Sequence, residues 1–130
     1  VRRTGTDMYV PWMNKANDLG ISFWVDVLPG FNDLGVRKEA EHPIIERKQG
    51  RVFKEMLSMA GDVLAQQDIP LKVMVITSFN EWHEDTQIEP TIVTNLPNND
   101  PLDYTGGYGY IGYGTTYLDA VKEFAQTFSN

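Results

Sequence analysis

Leu71-Lys72-Val73-Met74-Val75-Ile76 runs directly into Thr77-Ser78-Phe79-Asn80-Glu81-Trp82-His83-Glu84-Asp85-Thr86-Gln87-Ile88-Glu89-Pro90. The apolar run is short, rich in β-branched residues and preceded by Pro70, so it reads as a buried strand rather than a helix. A buried strand that ends in a dense polar and aromatic cluster is the usual layout of an α/β active site, because the strand is rigid and its carboxyl end delivers side chains into a cleft. Glu81 and Glu84 stand three residues apart in that cluster, with Trp82 and His83 between them.

Paired carboxylates divide acid and base work when their surroundings differ: one stays ionised, the other holds a proton to donate. Aromatic rings beside such a pair suit a sugar, whose C–H faces pack on them. From residues alone the stretch therefore reads as glycoside chemistry. The competing interpretation is a solvated loop with Trp82 in the core. If the stretch forms a helical turn, Glu81 and Glu84 share a face. Glu84, beside Trp82 and partly desolvated, is then expected to hold a proton more readily than an ordinary carboxyl. Asn80 and Gln87 are neutral amides suited to sugar hydroxyls, and Glu89 is either a further acid or a structural one. The spacing of Glu81, His83 and Glu84 does not match a zinc helix, and no metal is expected.

Outward from this stretch the chain alternates helices and strands. The spacing predicts a helix over 7–19, capped by Thr6 or Asp7 and ended by Gly20 in a left-handed conformation. Ile21 to Leu28 reads as a second parallel strand, buried on both faces. Asp26 within it is expected to be a structural hydrogen-bond acceptor. A long loop from Pro29 to Gly50 follows. Phe31 is a candidate sugar platform, and Asp33 and Arg37 are candidates for binding sugar hydroxyls; the alternative is a surface loop that pairs its own charges. Arg51 to Gln66 is the most regular amphipathic helix, with Val52, Phe53, Met56, Leu57, Ala60, Val63 and Leu64 on one face. A last helix is predicted over 115–128, with Leu118, Val121, Phe124, Ala125 and Phe128 on its buried face. Between it and the central stretch, Tyr104, Tyr108, Tyr110 and Tyr113 are interleaved with glycines and would line a cleft, form a lid or pack on the surface. The Asp/Asn cluster near residues 95–101 lacks the spacing of a calcium loop. Consecutive βα units of a parallel sheet in one domain, 1–130, account for this order.

Two segments resemble a known family. The string SFNEWHEDTQIEP is similar to the signature of the glycoside hydrolase family 99 endo-α-mannosidases and the related WbsX-like, glycosyltransferase-like bacterial proteins. The segment FWVDVLPGFND, Phe23 to Asp33, followed by Arg37, resembles that family's strand ending in a P-G-Y-D-D-like turn. The resemblance covers about residues 20–125 and implies the C-terminal βα units of a (β/α)8 TIM barrel. It further implies a retaining hydrolase of α-mannosidic bonds in glycans or polysaccharides such as mannan. In that scheme Glu84 is the general acid/base and Glu81 acts on the sugar's own 2-hydroxyl, through a 1,2-anhydro intermediate. Asp85 departs from the signature, which has Gly there. A left-handed Asp is tolerable, and its charge beside the acid is expected to strengthen that acid's hold on a proton or alter substrate choice.

Length and charge set the remaining bounds. A complete barrel needs roughly 200 residues or more, so a chain of 130 residues is expected to be part of one, with the N-terminal part of the barrel as a possible partner. The start at Val1 fits a cut-out piece. A formal net charge of -7 argues against a broad basic face for nucleic acid or anionic membrane. No apolar run approaches the ~20 residues of a membrane span. The chain has no cysteine and hence no disulfide. A carbohydrate is the expected partner, and no cofactor is expected. Two other functions fit the same residues: a non-catalytic carbohydrate-binding fragment, and sugar transfer in polysaccharide assembly. Transfer would need a donor site, and no Gly-rich phosphate cradle is present.

Overall fold

A parallel pair of strands needs a crossover connection, and α/β chains supply it with a helix. In the computed structural model, which describes residues 4–34, 36–37, 43–68, 71–93 and 112–128, two such strands carry the fold. A π-helical turn, Thr4–Tyr9, leads into α1 (Val10–Leu19); β1 (Trp24–Val27) is followed by a 3-10 turn, Lys48–Gly50, then α2 (Arg51–Ala65), β2 (Val73–Ile76) and α3 (Thr116–Phe128). β1 and β2 pair in parallel, with Trp24 opposite Val73 and Val27 opposite Ile76.

The core lies between this pair and α2. Val25 and Val27 are fully buried, and α2 meets them with Phe53, Met56, Leu57, Ala60, Val63 and Leu64. Each fully buried side chain of this kind contributes about 1.5–3 kcal/mol. α3 covers α2 with Tyr117 and Ala120, and Tyr117 packs edge-on against Phe53 at 5.6 Å between ring centres.

Three expectations are corrected. The strands are shorter than the apolar runs, and β1 is not buried on both faces: Trp24 is 59% exposed, as is Val75 of β2 at 38%. In a closed barrel that inner face is filled by side chains from neighbouring strands; among the described residues nothing covers it. The cap position of α1 falls on Tyr9, not on Thr6 or Asp7. The preceding π-turn runs straight into it, so Tyr9 at the cap position is already helical (φ -73, ψ -41) and no side chain caps it. Gly20 does end the helix left-handed, at φ 67. The buried face of α3 is turned toward Tyr117 and Ala120, leaving Ala125 and Phe128 exposed. Tyr117, absent from the expected buried face, is 1% exposed.

Candidate active site

The central stretch folds back on itself immediately after β2. The Thr77 N–H extends the strand ladder to the Val27 carbonyl at 3.0 Å, and its hydroxyl donates to Asp26 Oδ1 at 2.9 Å. Asp26 is thus the structural acceptor its burial called for. Beyond a cis Thr77–Ser78 peptide, the Ser78 N–H donates to the Thr86 carbonyl at 2.8 Å, the Thr86 N–H to the Glu81 carbonyl at 3.2 Å, and the Ile88 N–H to the Ser78 carbonyl at 3.1 Å. Ser78 Oγ accepts the Glu81 N–H at 2.8 Å. This closed loop, at the carboxyl end of β2, puts Glu84 on a turn, Trp82 to Asp85, with Glu81 immediately before it.

The loop after β1 is brought against that turn. Phe31 and Ile45 exchange backbone hydrogen bonds of 2.9 and 2.8 Å, and the Asn32 N–H donates to the Glu84 carbonyl at 2.8 Å. Gly30 is required here, because a β-carbon would sit 2.9 Å from the Ile45 carbonyl oxygen. Arg37 Nη1 bridges Asp33 Oδ2 at 2.8 Å and Glu84 Oε1 at 2.9 Å. Asp33 is 1% exposed. Hydrogen bonds to Asp33 first, and to Glu84 second, raise the Arg37 pKa above its ordinary value. The charges of this loop therefore do pair with one another, and the same arginine reaches the motif turn.

The other sequence candidates divide. Glu81 is half-exposed, and its Oε1 accepts the His83 N–H at 3.0 Å and lies 3.2 Å from His83 Nδ1. The Trp82 indole N–H donates to Glu89 Oε2 at 3.0 Å, which assigns Glu89 to holding the tryptophan. Asn80, Trp82 and His83 are exposed in the same loop, and Phe31 is half-buried beside Asn32. Gln87 is not presented with them. Its side chain is fully buried and its amide nitrogen donates to Asp85 Oδ1 at 3.3 Å; one residue pair past the turn, it falls on the inner side. Tyr110, Tyr104, Tyr108 and the 95–101 segment lie outside the described residues. Tyr113 packs inward, its hydroxyl donating to the Glu89 carbonyl at 2.7 Å. Among the described residues no three His, Cys, Asp or Glu side chains are grouped to hold a metal ion, and no helix is long and apolar enough to cross a membrane.

Sequence reasoning missed Arg47. Its Nε meets Asp85 Oδ1 at 2.8 Å, with the two side chains 12% and 11% exposed. The expected effect of Asp85 as an extra charge beside the acid is corrected accordingly: its carboxylate is turned inward onto Arg47. Asp85 does take the left-handed backbone, φ 52, that a glycine would adopt freely. Burial pushes the Asp85 carboxyl above its ordinary value, outweighing the pull of Arg47. Burial also works against the Arg47 charge, but Asp85 and Tyr117 outweigh it and the arginine is raised. No periodicity marks a buried arginine in a loop, so only the Asp85 departure hinted at it.

Two parallel strands joined by a helical crossover, with paired carboxylates on the loop that leaves one strand's carboxyl end, define a piece of an α/β barrel. The solved structure of the glycoside hydrolase family 99 endo-α-mannosidase from Bacteroides thetaiotaomicron superposes with a TM-score of 0.66 at 23% identity, over 92% of this chain and 32% of that one. The same enzyme in complex with bis-tris-propane gives 0.64 at 24% identity, over 94% and 36%. The fold is thus α/β, part of a (β/α)8 barrel. The sequence profile of glycosyl hydrolase family 99 matches residues 6–130, and the chain belongs to that family. It is 33% identical over 113 residues to the human glycoprotein endo-alpha-1,2-mannosidase-like protein, covering 87% of this chain and 22% of that one. It is 37% identical over 107 residues to the rat glycoprotein endo-alpha-1,2-mannosidase, covering 82% and 21%. The chain spans about a fifth of the length of these relatives.

Proposed function

We propose that this chain is the carboxylate-bearing portion of the catalytic domain of a retaining glycoside hydrolase that acts on α-mannosidic linkages in glycans or polysaccharides. The observation that carries the reading is the placing of Glu81 and Glu84 in one closed loop at the carboxyl end of a parallel strand, beside an exposed tryptophan. Family membership and the names of the relatives support the substrate class. Residues 1–130 act as one unit in this reading, and the exposed face carrying Trp24 and Val75 packs against the remaining βα units of the barrel, which supply further subsites.

The chemistry follows the substrate-assisted branch of retaining hydrolysis. Glu81 takes the proton of the sugar 2-hydroxyl as that oxygen bonds to the anomeric carbon. The anomeric bond to the leaving oxygen breaks, and Glu84 gives that oxygen its proton. Water then attacks the anomeric carbon from the face the leaving group left and loses a proton to Glu84, while the bond from that carbon to the 2-oxygen breaks and Glu81 returns its proton to that oxygen. Two inversions give retention. His83, hydrogen-bonded to Glu81 through its backbone, orients the base; Asn80, Trp82, Phe31 and Arg37 form the sugar-facing wall, with the buried Asp33 holding Arg37 and the buried Gln87 as support from behind.

The test is release of reducing oligosaccharide from α-mannan and α-linked mannosyl oligosaccharides by wild type, Glu81→Gln and Glu84→Gln, each shown to be folded by circular dichroism. Release that disappears in both variants is expected. A folded wild-type chain that binds mannosyl oligosaccharide without cleaving it would make this piece a carbohydrate-binding fragment instead.

A further inference from the structure

The loop that carries Glu81 and Glu84 is open to solvent on its outer side and gripped on its inner side. One residue makes three of the bonds in that grip. Arg47 Nη2 donates to the Asp85 carbonyl at 3.0 Å and to the Gln87 carbonyl at 2.6 Å, in addition to the bond from its Nε to the Asp85 carboxylate. Its guanidinium lies over the rings of Tyr117 and Tyr113, at 4.7 and 5.2 Å from their centres. Arg47 belongs to the loop between β1 and α2, whereas its acceptors belong to the loop after β2.

We propose that Arg47 is a positioning residue for the carboxylate turn, setting where Glu81 and Glu84 stand by holding Asp85 and the carbonyls behind them. The need for such a residue follows from the backbone. Asp85 has a positive φ of 52, a conformation that an aspartate tolerates at a modest cost and that contacts from its surroundings help to hold. The Asp85 and Gln87 carbonyls face the interior, where a backbone acceptor without a donor is costly. A planar fork answers both acceptors and the carboxylate at once, and two aromatic faces hold its plane; a lysine ammonium has neither the reach in three directions nor the stacking surface. In the signature that this stretch resembles, Gly stands at the Asp85 position, so here the side-chain half of the grip comes from this chain's own departure.

The kinetic part of the test rests on the proposed hydrolase reading; the structural part does not. Hydrogen exchange is measured at the Ser78, Thr86 and Ile88 amides, which close the loop, and at the α2 amides as a reference. In Arg47→Lys, exchange at the loop amides is expected to rise about tenfold or more while α2 is unchanged. In Asp85→Gly, which keeps both carbonyl bonds, the rise is smaller and again confined to the loop. Release of oligosaccharide from α-mannan by Arg47→Lys is expected to fall about a hundredfold in kcat with KM little altered, because misplacing reacting groups costs rate rather than binding. Loop amides that exchange as in wild type, or exchange that rises equally in α2, would overturn the proposal. If Arg47→Lys does not fold, the Asp85→Gly pattern decides. An inactive wild-type chain would count against the hydrolase reading alone, because the exchange comparison still reads the positioning.

Discussion

The Arg37 guanidinium meets the Glu84 carboxylate at 2.9 Å across 47 residues of sequence, while holding the buried Asp33 on its other side. Asp33 thus orients Arg37, and Arg37 orients Glu84. If the three act as one unit, their substitutions are not additive. Arg37→Gln is expected to lower kcat/KM for α-mannoside cleavage by about ten- to a hundredfold. Its melting temperature should fall as well, since Asp33 is 1% exposed and a buried carboxylate that loses a charged partner is destabilised. Asp33→Asn should lower activity similarly, and the double variant should be no worse than the poorer single one. Steady-state kinetics on all four proteins checks this; strictly additive losses would mean that Arg37 and Asp33 act separately.

The proposed reaction makes the substrate's 2-hydroxyl a reactant. A mannosyl substrate lacking it, or carrying it as a methyl ether, has no internal nucleophile, and water cannot replace it in the same geometry. Such analogues are expected to bind within a few-fold of the parent and to show no detectable turnover, with loss beyond about a thousandfold. Cleavage of a 2-deoxy analogue at a comparable rate, followed by product analysis, would instead point to a carboxylate nucleophile.

The sequence carried the fold wherever periodicity was strong. α2 was legible to within a residue because Phe53, Met56, Leu57, Ala60 and Leu64 repeat with a helical period against the strands. The parallel order followed from two apolar runs flanking that helix. What it hid depends on three-dimensional partners. The exposed side of Trp24 and Val75 cannot be told from a buried one when a strand is apolar throughout. Gln87 reads as a ligand-binding amide beside Glu84, and only the inward turn at Asp85 takes it into the core. Arg47 has no local signature, since its partners are 38 and 40 residues away.

Phe53 is the keystone of that α2 face, 0% exposed and in edge contact with Tyr117. Phe53→Ala removes an aromatic side chain from a close-packed interior that relaxes only in part. The expected loss is about 3–5 kcal/mol. A domain of ordinary stability has about 5–15 kcal/mol to lose, so the variant should unfold at markedly lower urea, and Phe53→Leu at an intermediate concentration. Because Tyr117 also stacks on Arg47, Phe53→Ala should loosen the carboxylate turn as well as the core, which hydrogen exchange would register at both places.

Alkaline pH provides a test of the contact between the π-helical turn and β1. The Tyr9 hydroxyl donates to the Asp26 carbonyl, and burial, together with the nearby Asp26 charge, raises its pKa above the ordinary 10.0. The folded chain therefore resists losing this proton, whereas an unfolded tyrosine ionises near 10. The stability linked to Tyr9 is fully present below that pH and is lost as pH rises toward the folded-state value. Tyr113 adds to the effect in the same direction: burial raises it, and the pull of Arg47 only partly offsets this. Tyr9→Phe gives up the hydrogen bond, at about 0.5–1.5 kcal/mol at neutral pH, but cannot ionise. Urea unfolding followed by circular dichroism from about pH 8 to 11 should show wild-type stability falling more steeply than that of Tyr9→Phe. Parallel curves would mean that the Tyr9 hydroxyl titrates alike in the folded and unfolded chain, and that its contact with the strand does not hold in solution.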